Sequence, residues 1–282
     1  MASRKEQKEQ ARAARLAQEQ QAAEQAQRTR RLQIFGGVIA LAVVVIVAAI
    51  AISSGGSTHK GQSAVAKAAV AHVNSLLAGI PQSGNTLGKP NAPITITEYG
   101  DLECSICDEL ATPASFTNPE SQQGTGWEDK LITEYVRTGK AKLVFRSMET
   151  ASSSNPDANA FTQQQVAAEA AGLQGKEWNF IELMYNQQGA EGTNYVSESY
   201  LQGLAKEIPG LNFKQWMADR KLARLKNQLS VDNAAGVAAG QSSPNGAGTP
   251  TIVIKGPLGQ SAPIVGLPNG YGAYVSAINR VG

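Results

Sequence analysis

The period of apolar positions changes along the chain and divides it into segments. Residues 34–52 read IFGGVIALAVVVIVAAIAI, nineteen residues without a charge or a strongly polar side chain. Crossing a bilayer core of roughly 30 Å takes about 20 helical residues, so this run predicts a transmembrane helix. Residues 2–31 are Ala, Gln, Glu, Lys and Arg apart from Ser3, Thr29 and Leu16, the one large apolar side chain, so they have no face to bury. Residues 53–58 are a Ser/Gly/Thr spacer, and 63–78 have the Ala-rich spacing of a short amphipathic helix.

Beyond that point the pattern alternates between strand and helix periods. The β-branched run 94–99 predicts a central strand ended by Gly100 and Asp101, with a helix opening at 104 and running towards Leu110. Residues 141–148 predict a second strand around Leu143, Val144 and Phe145. Helical spacing then covers 158–173, 177–185, 198–208 and 213–229, and a Gly/Ser/Pro/Asn loop covers 240–248. Strands at 250–254 and 262–266 and a helix over about 269–280 close the chain, with Pro263 marking an edge strand. The order β-α-β, helices, hairpin, helix predicts an α/β domain with an inserted helical subdomain at about 150–238. The expected division is a tail at 1–33, the span 34–52, a linker with a short helix at 53–86, and the α/β domain at 87–282.

Charge supplies an orientation. Residues 1–31 hold eight Lys/Arg against four Glu, which leaves 17 Lys/Arg and 19 Asp/Glu for the rest of the chain. Nothing in that mildly acidic remainder resembles a nucleic-acid footprint. Arg28, Arg30 and Arg31 abut the apolar run, whereas the other flank is uncharged until Lys60. The positive-inside rule places 1–33 in the cytoplasm and everything beyond about residue 53 outside. A cleaved signal peptide would have a shorter charged leader and an A-x-A site, so the expectation is an uncleaved signal-anchor in the cell membrane.

The chemistry centres on the two cysteines of the chain, Cys104-Ser105-Ile106-Cys107, at the junction of a strand and a helix. A thiolate at a helix start meets free backbone N–H groups and the positive end of the helix dipole. Cys107, one turn on, can close a disulfide with it. The pair could instead be a structural bridge, although so small a loop constrains the unfolded chain little. Metal binding would need further ligands, and the two histidines, His59 and His72, fall in or near the linker. Asp101, Glu103, Asp108 and Glu109 flank the pair and would raise the thiol pKa if close. Trp178, Phe180 and Trp216 have the spacing of core residues in the inserted subdomain.

From residue 87 onward the chain resembles the membrane-anchored, DsbA-like thiol–disulfide oxidoreductases of the thioredoxin-like superfamily. The residues that carry the resemblance are Gly88-Lys89-Pro90-Asn91-Ala92-Pro93 and the strand after it, the Cys-x-x-Cys, Leu143-Val144-Phe145-Arg146, Gly175-Lys176-Glu177-Trp178 and Gly248-Thr249-Pro250-Thr251. The resemblance implies a thioredoxin-like fold with Cys104 as attacking thiol and Cys107 as resolving partner, and no cofactor beyond their redox-active disulfide. It implies that Thr249-Pro250 is the cis-proline loop that lies beside the cysteines and pairs with a substrate strand. Glu98, six residues before Cys104, matches a buried acid that could relay a proton; the alternative is a strand residue pointing to solvent.

The implied activity is exchange with cysteines of exported proteins, with reoxidation by a DsbB-like or VKOR-like membrane oxidase. A reductase or isomerase, and a non-catalytic anchored chaperone or adaptor, are the alternatives. Here Ser105-Ile106 replaces the family's commonest Pro-His pair, which predicts a less extreme oxidant.

Overall fold

The computed structural model describes residues 64–113, 115 and 124–282. The expected tail 1–33, the span 34–52 and the spacer up to residue 63 lie outside the described residues. Among the described residues no helix is long and apolar enough to cross a membrane.

In chain order the elements are α1 (Ala64–Leu77), β1 (Gln82–Ser83), β2 (Thr86–Leu87), β3 (Ile94–Gly100), α2 (Ser105–Ala111) and α3 (Trp127–Leu131). A wider helical turn, Ile132–Val136, continues α3 and leads to β4 (Ala141–Ser147). A 3-10 turn (Ala151–Ser154) precedes the helices α4 (Ala160–Gly172), α5 (Glu177–Asn186), α6 (Glu198–Glu207), α7 (Phe213–Asp219) and α8 (Ala223–Gln241). The chain ends with β5 (Thr251–Gly256), β6 (Gly259–Gln260), β7 (Ile264–Val265) and α9 (Gly272–Val281).

The strands form one sheet in the order β1-β2-β4-β3-β5-β6, with β7 also on β5. β3 and β4 are parallel, and the stretch between them that carries α2 and α3 makes the crossover such a pair requires. β5 lies antiparallel on the other side of β3, with Thr251 opposite Tyr99. This register brings the residues just before β5 beside the residues just after β3. Strict alternation sends Ile94, Ile96 and Glu98 to the buried face of β3, and Ala141, Leu143, Phe145 and Ser147 to the buried positions of β4.

Phe145 meets Trp178 of α5 edge to face at 6.3 Å, joining the sheet to the inserted helices. Trp178, Phe180 and Trp216 are all fully buried, as core residues. On the other face, α8 lies over Tyr99 and Met148 at Gly236. A Cβ there would sit 2.9 Å from both side chains, so the close approach needs glycine.

Three boundaries differ from the sequence reading. The α/β unit begins near residue 62 rather than 87. Arg137 donates to the carbonyls of Leu76 and Ala78 at 2.6 and 2.8 Å, and His72 reaches Asp129 at 3.3 Å, so α1 is built into the domain rather than a linker. The hairpin of β1 and β2 likewise extends the sheet through β4. The expected helix 213–229 is broken at 220–222. Trp216 is fixed by donating its Nε1–H to the Ala167 carbonyl, and Arg220 by its bridge to Glu198, and α7 and α8 form two separate helices. Finally, α3 and its continuation carry no clear apolar period and were not anticipated; they cover the buried face beside α2.

Candidate active site

Both cysteines are reduced and buried at the junction of β3 and α2. Cys104 is the N-cap residue of α2, in extended conformation with φ −72° and ψ 120°. Its own N–H donates to the Asp101 carbonyl and its carbonyl accepts from Asp108 N–H, so both ends of the turn are tied. Cys104 is 6% exposed and Cys107 fully buried beneath it. The attacking position is therefore the one within reach of solvent.

The two thiols are driven apart electronically. Cys104 is held below the ordinary thiol value, first by the hydrogen bond from Cys107 and then by the Thr249 side chain and the backbone N–H groups of Cys107 and Ile106, against a desolvation effect. Cys107 is pushed well above it, first by burial and then by its bond to Cys104 and the charge of Glu98. A dithiol with one low and one high pKa has a ready nucleophile and a partner that needs a proton when it leaves.

Three of the four acids expected to raise the Cys104 pKa, all but Glu109, are otherwise engaged. Asp101 accepts from the N–H groups of Glu103, Thr150 and Ser152 and from the Ser152 hydroxyl, at 2.7 to 3.1 Å. Glu103 accepts from Asn155 and Gln164 and titrates at about 7, raised mainly by burial. Asp108 accepts from the Thr112 hydroxyl at 2.7 Å. Asp101 and Glu103 pin the loop between β3 and α2 to the turn after β4 and to α4.

The Thr249–Pro250 peptide bond is cis. The Thr249 carbonyl oxygen accepts from the Cys104 thiol at 3.5 Å, and its hydroxyl meets Thr150 Oγ1 at 2.5 Å. Glu98 is 1% exposed, so it does not point to solvent. Burial raises it to about 7, with a hydrogen bond to Glu128 acting the other way.

Four residues of the site escaped the sequence reading. Glu128 in α3 and Glu182 in α5 are fully buried near Glu98. A readable signal existed for Glu182, a carboxylate inside the apolar run Trp178–Met184, but none for Glu128. From the loop after α5, Gln188 Nε2 donates to the carbonyls of Leu102 and Cys104, and Glu191 accepts from Ser105 N–H at 3.0 Å. That loop clasps the start of α2 from the inserted subdomain. Among the described residues no group of three or more His, Cys, Asp or Glu is placed to hold a metal ion.

Residues 82–262 match the family model described as Thioredoxin. The chain is 26% identical over 154 residues to the probable disulfide bond formation protein D of Bacillus cereus, covering 52% of this chain. It spans 61% of the length of that relative. BdbD from Bacillus subtilis, solved in its oxidised form, superposes with a TM-score of 0.50 at 19% identity, over 71% of this chain and 95% of that one. Alpha-DsbA1 of Wolbachia pipientis does so with a TM-score of 0.50 at 18% identity, over 74% and 95%. At these identities the two structures show a shared fold. With the family model matching well over half of its length, the chain belongs to the thioredoxin family.

Proposed function

We propose that the protein is a thiol–disulfide oxidoreductase that exchanges a Cys104–Cys107 disulfide with cysteines of exported proteins, working as a dithiol oxidase. The observation that carries this reading is the split between the two thiols: Cys104 at the mouth of α2 is held low while Cys107 beneath it is pushed up. The name of the Bacillus cereus relative, a probable disulfide bond formation protein, points the same way.

In the oxidising direction a client thiolate attacks Cys104 Sγ and the Cys104–Cys107 bond breaks. The electron pair goes to Cys107, which takes a proton from Glu98. The client's second thiolate then attacks the mixed disulfide and leaves Cys104 as a thiolate. The client is oxidised by two electrons and the protein reduced by two. A substrate strand would run past Thr249, whose backbone lies beside Cys104.

The apolar run 34–52 and the basic residues before it support a single-pass anchor with the catalytic domain outside the cytoplasm. In that setting a quinone-linked membrane oxidase of the DsbB or VKOR kind would restore the disulfide. A Cys107→Ala variant tests the reading: expressed in cells, it should accumulate mixed disulfides on Cys104 that dithiothreitol releases. Recovery of no such adducts, with Cys104 accessible to alkylation, would refute it and favour a non-catalytic adaptor.

A further inference from the structure

Behind Cys107 the fold buries more acid than one proton donor requires. Glu98 of β3, Glu128 of α3 and Glu182 of α5 are each at most 1% exposed. No donor among the described residues reaches five of their six carboxyl oxygens: Glu98 Oε1 and both oxygens of Glu128 and Glu182. An ionised carboxylate buried without donors or a cation is strongly disfavoured, so such groups hold their protons. The hydrogen between Glu98 and Glu128 is therefore an acid's own.

The groups around the three carboxyls supply no positive charge to hold them ionised. They are Cys107 of α2, Asp129 of α3, Tyr185 of α5 and Tyr274 of α9, whose hydroxyl also lacks a partner. The nearest ionisable group of α1 is His72, which meets Asp129 at 3.3 Å at the edge of the cluster.

The geometry points to Glu128 and Glu182 as positioning acids that form, with Glu98, a buried proton store for the thiolate leaving at Cys107. This extends the exchange reading above. When the Cys104–Cys107 bond breaks, Cys107 Sγ takes the Glu98 proton, and Glu128 donates the hydrogen of its own carboxyl to the carboxylate left on Glu98. The negative charge is held between the two carboxyls, and the thiol stays neutral in its dry site. Burial keeps the Glu98 proton in place until that moment.

The test uses the oxidised protein reduced in a single turnover by dithiothreitol, with the rate divided by thiolate concentration from about pH 5 to about pH 9. In the native protein this rate should fall with a midpoint at about 7, where Glu98 loses its proton. Glu128→Leu removes the hydrogen bond that favours the Glu98 carboxylate and should move the midpoint up by about half a pH unit or more; Glu128→Gln, which can still donate there, should move it less, and Glu182→Gln removes a further protonated carboxyl. Infrared spectra should show a protonated-carboxyl C=O band that persists to neutral pH and shrinks in each variant. An unmoved midpoint in Glu128→Leu, or a native protein lacking that band at about pH 6, overturns the store. If Glu128→Leu does not fold, the infrared bands of Glu182→Gln and of the native protein decide. A native disulfide that dithiothreitol cannot reduce at any pH would overturn the oxidoreductase reading itself, a different result from exchange with an unmoved midpoint.

Discussion

The Cys104 thiol donates to the Thr249 carbonyl oxygen across 3.5 Å, linking residues 145 positions apart in sequence. The antiparallel register of β3 and β5, with Tyr99 opposite Thr251, creates this contact. It leaves one backbone carbonyl at the cysteine sulfur nearer solvent.

Cys104→Ser should therefore abolish exchange, because a hydroxyl is neither ionised nor a sulfur acceptor at neutral pH. The fold should survive, since the side chain sits at a helix cap and a hydroxyl of similar size can make the same hydrogen bonds. Reduction of insulin or oxidation of a dithiol peptide measures the loss, and residual activity above a few per cent would contradict the assignment of Cys104 as nucleophile.

Glu191 tunes that nucleophile from outside the helix. Its carboxylate accepts from Ser105 N–H at 3.0 Å, placing at the N-terminus of α2 a negative charge that opposes the thiolate. Glu191→Ala should lower the Cys104 pKa by about 0.2–0.7 unit, the size of a charge at an exposed helix terminus. A lower thiolate pKa makes the disulfide more oxidising. Thiolate absorbance in the ultraviolet, titrated with pH, reads the shift; a rise in pKa would be the wrong sign.

Asp101 holds the active-site loop to the turn after β4 through three backbone N–H groups and the Ser152 hydroxyl. In Asp101→Asn one oxygen becomes an NH2 group that faces donors. The cost should be about 1–3 kcal/mol of stability, read as a lower denaturation midpoint in urea with an unchanged slope.

Stability should fall as pH rises through neutrality. Burial lifts Glu98 and Glu103 to about 7 and Glu169 to about 8 in the folded protein, whereas the unfolded chain releases the same protons at ordinary carboxylate values. Between about pH 4.5 and about pH 8 the folded state thus binds more protons, and its advantage shrinks with each step upward. Glu198, held low by Arg220, acts in the opposite sense below that window. The Tm should be several degrees lower at about pH 8.5 than at about pH 5. A Tm that climbs over this range would show that these acids are ionised when folded.

Local pattern carried most of the elements. The β-branched run at 94–99, the Leu143-Val144-Phe145 centre and the paired cysteines announced β3, β4 and the start of α2 because each uses a short-range period or a spacing within one turn. The resemblance carried by Gly248-Thr249-Pro250-Thr251 indicated the loop that approaches Cys104. The helix at 64–77 was legible as a helix but not as part of the domain. Its place depends on Arg137 and Asp129, more than 50 residues away.

The amino-acid sequence by itself determined which residues could do redox chemistry: two cysteines one turn apart at a strand–helix junction, in a chain with no other thiol. What it left open is how the two sulfurs differ. That was decided by tertiary packing, which buries Cys107 within reach of the Glu98 charge, couples Glu98 to Glu128 and Glu182 from two further elements, and spends Asp101 beside Cys104 on backbone hydrogen bonds. Desolvation and charge act through space at a few ångströms, and only folding brings β3, α3 and α5 within that range.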